Sequence, residues 1–255
     1  MANFIMYGYR GDEDMASFSI PAIMRLLKDS ETLIFIDDVF DPVSEDFAKK
    51  FKSEYGDKIF FDMTYHPRHG NLTGPDHTVA NFKKLHQWIG DDETVVKVDC
   101  DTMIFSRKWL DDFIADDKYI LAGGFHSQHN YMFGLCYAVK SAAITYLESS
   151  LERDPPWIHC FEDFEVSSRI NRWNPEAIKR FDLTKPRNSR WVCLPPNEVP
   201  NGSPVDVMDV NRTSDRRLVL KTMEDTLKQA LAIDERKKEK QNDQVNDEEP
   251  RQVGA

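Results

Sequence analysis

The sequence predicts an α/β protein built on a mostly parallel central sheet with helices on both faces. Three observations predict it. Short β-rich runs alternate with helix-patterned segments through the first 90 residues, the signature of successive βα units. The apolar run at 94–105 is too short for a normal helix, so its first half reads as a buried strand. That strand delivers Asp99 and Asp101, one residue apart, to its C-terminal end, where open α/β sheets bind ligands.

Taken in order, residues 3–9 form a first strand that runs into the polar turn 10–14. A helix follows, with Ser17 or Ser19 as its N-cap. Pro21 falls in its first turn, where a missing N–H costs nothing, and Ile23, Met24, Leu26 and Leu27 form its buried face. Residues 32–36 form a second strand ending in Asp37 and Asp38, and 44–55 a helix with Phe47 and Phe51 one turn apart. A third strand at 58–65, a loop of turn formers at 66–75 and a helix at 76–88 lead to the central strand. Beyond it come a short helix at 106–114 capped by Ser106, strands at 119–125 and 131–139, and a helix at 141–151. Pro155, Pro156 and Trp157 break the pattern. Glu162, Asp163 and Glu165 then open a helix that ends near Trp173, acids being favoured at a helix N-terminus. Short strands and Pro-rich turns at 177–211 extend the same domain, which spans 1–211. A C-terminal helix over 212–240 carries Leu218, Met223, Leu227 and Leu231, and the polar tail 241–255 reads as disordered.

Composition narrows the function. At 255 residues the chain can bury a sizeable core as one large domain or two small ones. No stretch approaches the roughly 18 apolar residues that span a bilayer, and the N-terminus lacks a basic flank before a long apolar core, so the reading is a cytoplasmic protein with no transmembrane segment. Cys100, Cys136, Cys160 and Cys193 are singly spaced, without the pairing of a zinc or redox motif. The net charge of −11 argues against a protein that coats nucleic acid. Residues 166–221 nevertheless carry 11 Lys/Arg against 6 Asp/Glu, a basic excess that suits an anionic partner as well as an ordinary mixed surface.

Asp99 and Asp101 are the centre of the chemistry. Two carboxylates at a buried strand end repel one another unless a cation sits beside them, and all-oxygen ligands suit Mn²⁺ or Mg²⁺. The pair points to a metal–diphosphate site; the competing reading is a solvated turn.

The order of motifs resembles the GT-A fold glycosyltransferases, in particular the family-2-like group that uses sugar nucleotides. Tyr7-Gly8-Tyr9-Arg10 is similar to the Tyr-Asn-Arg that ends the first strand in that group. Ile36-Asp37-Asp38-Val39-Phe40-Asp41 resembles its Val-Asp-Asp-Gly-Ser-x-Asp, without the Gly-Ser and one residue shorter. Asp99-Cys100-Asp101 matches its Asp-x-Asp. Gly134 to Val139, followed by Glu162-Asp163-Phe164-Glu165 and Arg169, resembles its Gly-x-x-x-x-aromatic segment and the Glu-Asp helix that follows. The resemblance covers residues 3–173.

What the resemblance implies is a nucleoside-diphosphate sugar donor, a UDP-sugar first, with Mn²⁺ or Mg²⁺ held by Asp101. Asp99 takes the ribose or a water-mediated metal contact, Asp38 accepts a hydrogen bond from the base, and Arg10 with Tyr9 touches base or phosphate. In inverting members the Asp of the Glu-Asp pair deprotonates the acceptor, which assigns that role to Asp163 beside Glu162. Residues 187–191 are similar to the Gln-x-x-Arg-Trp motif of processive members, placing Arg190 at the donor; the missing Gln argues against a processive synthase. A third metal ligand is sought among His126, His129, His159, Asp206 and Asp209. His66, His69 and His77 read as solvated loop residues, and Phe161, Phe164 and Trp157 as core or an acceptor platform.

Two other readings stand beside this one. A haloacid-dehalogenase-like phosphohydrolase also carries Asp-x-Asp at a strand end, although near the start of its chain. A non-catalytic sugar-nucleotide- or glycan-binding module would keep the fold and lose an acid from one of the motifs, both of which are intact here. Acceptor candidates are a saccharide, a small molecule, or hydroxymethylated DNA of the phage type, the last resting on Arg187, Arg190 and Trp191 in the basic region.

Overall fold

The computed structural model describes residues 1–64, 87, 90, 93–125, 131–155, 161–183, 191–193, 206–209 and 215–247. The expected loop at 66–75, nearly all of the helix at 76–88, Trp157, Arg187, Arg190 and the candidate histidines lie outside them. Ten strands are described: β1 (Ala2–Gly8), β2 (Leu33–Asp38), β3 (Ile59–Thr64), β4 (Thr94–Asp99), β5 (Thr102–Ile104), β6 (Leu121–Phe125), β7 (Met132–Lys140), β8 (Ile178–Asp182), β9 (Trp191–Cys193) and β10 (Val207–Asp209). The helices are α1 (Glu13–Met24), α2 (Glu45–Tyr55), α3 (Lys108–Ile114), α4 (Ser141–Arg153), α5 (Glu162–Trp173) and α6 (Arg216–Asp247).

Seven strands form one sheet in the order β3-β2-β1-β4-β7-β6-β8. All run the same way except β7, which is antiparallel to both β4 and β6. β5, β10 and β9 make a separate small sheet, with β10 antiparallel to β5 and parallel to β9. The alternating pattern of strands and helices thus gives the expected mostly parallel sheet.

Side-chain alternation splits the core into two layers. Phe4 and Met6 of β1 and Val96 and Val98 of β4 pack with α1, α2, α3 and α6. Ile5, Tyr7 and Val95 face the other way, into the layer closed by α4 and α5 through Ile144, Leu147, Val166 and Ile170. Arg169 ties those two helices together: its guanidinium donates to Glu165 Oε2 at 2.6 Å, to the Ser150 carbonyl at 2.9 Å and to the Asp154 carbonyl at 2.6 Å. The arginine that resembles a family motif is therefore a buried strut that satisfies carbonyls at the end of α4.

Four boundaries differ from expectation for identifiable reasons. α1 begins at Glu13, not at Ser17 or Ser19, and Pro21 lies inside it. Glu13 and Asp14 supply the acidic first turn, while Ser17 and Ser19 bond back to the carbonyls of Glu13 and Met15 instead of capping. α3 begins at Lys108, after a single turn bond in which Ser106 Oγ accepts the Lys108 N–H at 3.2 Å. α6 does not stop near Lys240 but continues through Asp247, so residues 241–247 of the expected disordered tail are helical. The extension at 177–211 divides, β8 joining the main sheet while β9 and β10 build the small one.

α6 has 32 residues, a length of about 48 Å at 1.5 Å per residue. Its first turn is held to the β1–α1 segment by Arg216, which donates to the Gly11 carbonyl at 2.7 Å and to Asp14 Oδ2 at 3.0 Å. Five turns later Asp234 accepts from Arg25 at 2.6 Å.

Candidate active site

β1, β2 and β4 end at one edge of the sheet, and because β7 is reversed its beginning lies at that same edge. In register, Tyr7 stands opposite Asp99 across β1 and β4, and Lys97 opposite Tyr137 across β4 and β7. The edge therefore gathers residues from four segments far apart in sequence.

Lys97 is the hub. It points into the α4–α5 layer and is only 3% exposed. A lysine is almost never buried to that degree unless its charge is paired. Its Nζ donates to Asp99 Oδ1 at 2.5 Å and to the Gly134 carbonyl at 2.5 Å, and lies over the Tyr137 ring at 5.9 Å. Gly134 in turn donates its N–H to Asp163 Oδ2 at 2.7 Å, and the Phe164 N–H donates to Asp163 Oδ1 at 2.8 Å. The Asp of the strand end and the Asp of the helix N-terminus, 64 positions apart in sequence, are thus joined through one ammonium and the backbone N–H and carbonyl of a single residue, Gly134.

Glu162 is buried beside them and accepts a short hydrogen bond from the Tyr137 hydroxyl. Burial pushes the pKa of both Glu162 and Asp163 above their usual range, and Lys97 opposes that rise in both. For Glu162 the Tyr137 hydrogen bond, and for Asp163 the two backbone N–H groups, also favour the ionised form. A helix N-terminus alone would suggest a lowered value for Asp163, but desolvation is the larger effect. Tyr137 is raised well above an ordinary tyrosine, by burial first and then by Glu162, so its hydroxyl keeps its proton and donates.

The remaining expected residues differ in burial. Asp101 is half-buried in the turn between β4 and β5. Across the small sheet Asp209 is registered with Thr102, next in sequence to Asp101, so β10 brings a third carboxylate to the neighbourhood of the Asp-x-Asp turn. Asp206 lies at the start of β10, where its carbonyl accepts from Phe105 N–H at 2.8 Å. Asp38 is fully buried, its Oδ1 accepting the Phe40 N–H at 2.7 Å, and Asp37 Oδ1 accepts from Asp38 and Val43 at 2.9 and 3.0 Å. Burial raises Asp37 despite those bonds. Arg10 is exposed beside the same turn, donating to the Pro42 carbonyl at 3.2 Å with Asp41 Oδ1 at 3.8 Å, and Tyr9 is half-buried next to it. Arg190 lies outside the described residues.

As a metal site the edge offers the carboxylate oxygens of its aspartates, while the Cys100 thiol is turned to the Tyr7 carbonyl; such oxygens fit a hard divalent ion completed by phosphate oxygens and water. Among the described residues no group of three or more His, Cys, Asp or Glu side chains converges into a preformed cage. The fit is that of a partial site shared with a phosphorylated ligand.

Trp191 contradicts one expectation. It is fully buried, stacked on Phe181 with centroids 4.6 Å apart and set edge-on to Trp109 at 4.8 Å. It is a core residue of the small sheet and adds no exposed aromatic surface to the basic region in which the sequence placed it. Lys97 and Tyr137 were not among the residues singled out from the sequence. A lysine inside an otherwise apolar strand, two residues before Asp99, is the signal that could have found the first.

No protein-family model matches the chain, and no curated protein matches it in sequence. Solved structures do match. The galactosyltransferase LgtC, in complex with donor and acceptor sugar analogues, superposes with a TM-score of 0.58 at 14% identity, covering 90% of this chain and 95% of that one. An active-site mutant of LgtC gives 0.53 at 13% identity, over 83% and 88%. The glycosyltransferase GlyE of Streptococcus pneumoniae TIGR4 gives 0.53 at 9% identity, over 91% of this chain and 63% of that one. The fold is GT-A, the one these glycosyltransferase structures share. A haloacid-dehalogenase architecture is thereby set aside.

Proposed function

We propose that this protein is a metal-dependent glycosyltransferase that moves a sugar from a nucleoside-diphosphate sugar, with a UDP-sugar as the donor, to an acceptor hydroxyl. One observation carries the reading: Lys97 and Gly134 join the Asp99 carboxylate to that of Asp163 at the ligand-binding edge of a GT-A sheet. A structural turn has no need of a buried lysine serving both motifs.

In this reading Asp101 holds Mn²⁺ or Mg²⁺, and Asp99 contacts the ribose or the ion through water. When bound, the ion neutralises charge on the diphosphate as the glycosidic bond breaks. Arg10, Tyr9, Asp38 and Arg190 orient the nucleotide. Asp163, held by two backbone N–H groups, faces the reacting sugar. In the inverting form, the acceptor oxygen bonds to the anomeric carbon as the bond to the diphosphate oxygen breaks. The electron pair leaves with the nucleoside diphosphate, and the acceptor proton passes to Asp163. A carboxylate whose pKa burial has raised is a stronger base for that proton than a solvated one. Glu162, buried and accepting from the Tyr137 hydroxyl, stands beside Asp163 in the same pair and braces the start of α5. Buried thiols at Cys100 and Cys136 accord with a cytoplasmic setting.

Calorimetric titration with UDP, in the presence and absence of Mn²⁺, tests the donor site. Binding is expected to need the metal and to be lost in Asp101→Ala; metal-independent binding that survives this substitution would sink the proposal. Asp163→Asn is expected to abolish transfer while UDP still binds, and NMR of the product anomer then reads the stereochemistry.

A further inference from the structure

Next to Asp163 lies an aromatic cluster to which the donor chemistry gives no role. Phe164 is 40% exposed and Phe161, at the N-cap of α5, is 48% exposed. The Tyr131 ring meets Phe164 edge-on with centroids 5.7 Å apart and stacks on Phe133 at 5.6 Å and 28°. Phe133 immediately precedes Gly134, and Phe164 immediately follows Asp163, so the two backbone groups that hold the Asp163 carboxylate belong to the cluster's own segment and its neighbour. Tyr131 and Phe133 are half-buried, Phe133 packing against the core, so the cluster seats the exposed Phe164 ring on a fixed base; an exposed ring held in this way beside a buried carboxylate marks a ligand surface.

We propose that Tyr131, Phe133 and Phe164 form the acceptor subsite and that it takes a neutral pyranose ring, resting the ring's C–H face on the aromatics with one hydroxyl turned toward Asp163. This deepens, and rests on, the glycosyltransferase reading. Aromatic faces carry negative charge that attracts the polarised C–H bonds of a sugar, and they bury its apolar side without asking it to give up hydroxyl hydration. Electrostatics favour a neutral ligand over a polyanion. Among the described residues the acids beside the cluster are Asp99, Glu162 and Asp163, and the cation between them, Lys97, is buried and committed to Asp99 and the Gly134 carbonyl. Trp191, the aromatic that would have served a nucleic acid, is enclosed in the core.

Saturation-transfer NMR on the full chain with UDP and Mg²⁺ tests this, using methyl β-glucoside, methyl β-galactoside and a hydroxymethylcytosine oligonucleotide as probes. At least one neutral glycoside should receive saturation, strongest on the protons of one ring face. Its affinity should fall about tenfold in Phe164→Ala, a loss of about 1.4 kcal/mol, and recover in Phe164→Trp. UDP affinity measured on the same samples should not move, which shows that the variants are folded. The inference is overturned if no neutral glycoside binds while UDP does, if glycoside affinity ignores Phe164 and Tyr131, or if the oligonucleotide binds in their place. Failure of the unaltered protein to bind UDP with metal is a different result: it removes the donor reading first and this inference with it.

Discussion

Gly134 both holds Asp163 and leaves it room: its N–H donates to Oδ2 at 2.7 Å, and a Cβ added there would come within 3.2 Å of the same oxygen. The absent side chain is as much a part of the site as the hydrogen bond. Gly134→Ala is expected to displace the carboxylate by a few tenths of an ångström. Because small misplacements of reacting groups are costly, transfer should fall by about tenfold or more. UDP affinity should stay unchanged, as calorimetry beside a turnover assay will read.

Replacing the hub should be far more damaging. Lys97→Met leaves Asp99, Glu162 and Asp163 close together without their shared cation, and removing one partner of a buried pair costs about 3–5 kcal/mol. Urea unfolding is expected to show a loss of that order, larger than for Lys49→Met, whose pair with Glu45 is exposed. Equal losses in the two variants would show that Lys97 does not carry the cluster.

The raised acids give stability a particular pH dependence. Glu162 binds its proton more tightly folded than unfolded, so its contribution is fully present below the unfolded value of about 4.5 and is lost as pH rises through the folded value. Asp163 behaves alike from a lower starting point. The groups facing Glu162 are Lys97, Tyr137, Asp163 and Asp99. Glu162→Gln removes the titration while keeping an acceptor for Tyr137. Thermal midpoints measured from pH 4 upward should decline less steeply in that variant than in the parent.

At the opposite end of the sheet Glu31 supplies a control. It is 1% exposed and accepts from the Ala2 N–H, the Lys28 N–H and both terminal nitrogens of Arg107. Glu31→Ala should cost about 3–5 kcal/mol in urea unfolding yet leave the affinity of the folded protein for UDP intact. A loss of nucleotide affinity at temperatures where it remains folded would contradict the placement of the site at the other edge.

Trp191→Ala should behave as a core truncation, costing about 3–5 kcal/mol, with no change in the salt dependence of any nucleic-acid binding. Its sequence neighbours had suggested otherwise. Arg187, Arg190 and Trp191 look like a basic, aromatic surface when read along the chain, but β9 turns Trp191 inward against Phe181 and Trp109. Local charge says nothing about which side of a short strand faces the core.

That contrast marks how far sequence reading reaches. The Asp99–Asp101 strand end and the start of α5 at Glu162 were legible because period and composition change sharply there. The link between them was not, since it depends on β7 lying beside β4 in a register that sets Tyr137 opposite Lys97. Pairing of that kind is a tertiary choice. Pro21 misled for the opposite reason: a strong local signal for a helix start was overruled by packing of Met15, Ala16, Ile20 and Ile23 along a longer helix.

The reversed direction of β7 also shapes what this molecule can become. β6 ends at Phe125 and β7 begins at Met132, registered with one another at the ligand edge, whereas a parallel strand would have to be reached by a crossover from the far side. The pairing of Lys97 with Tyr137 lies five residues further along β7, so changes in how β7 is entered leave it in place.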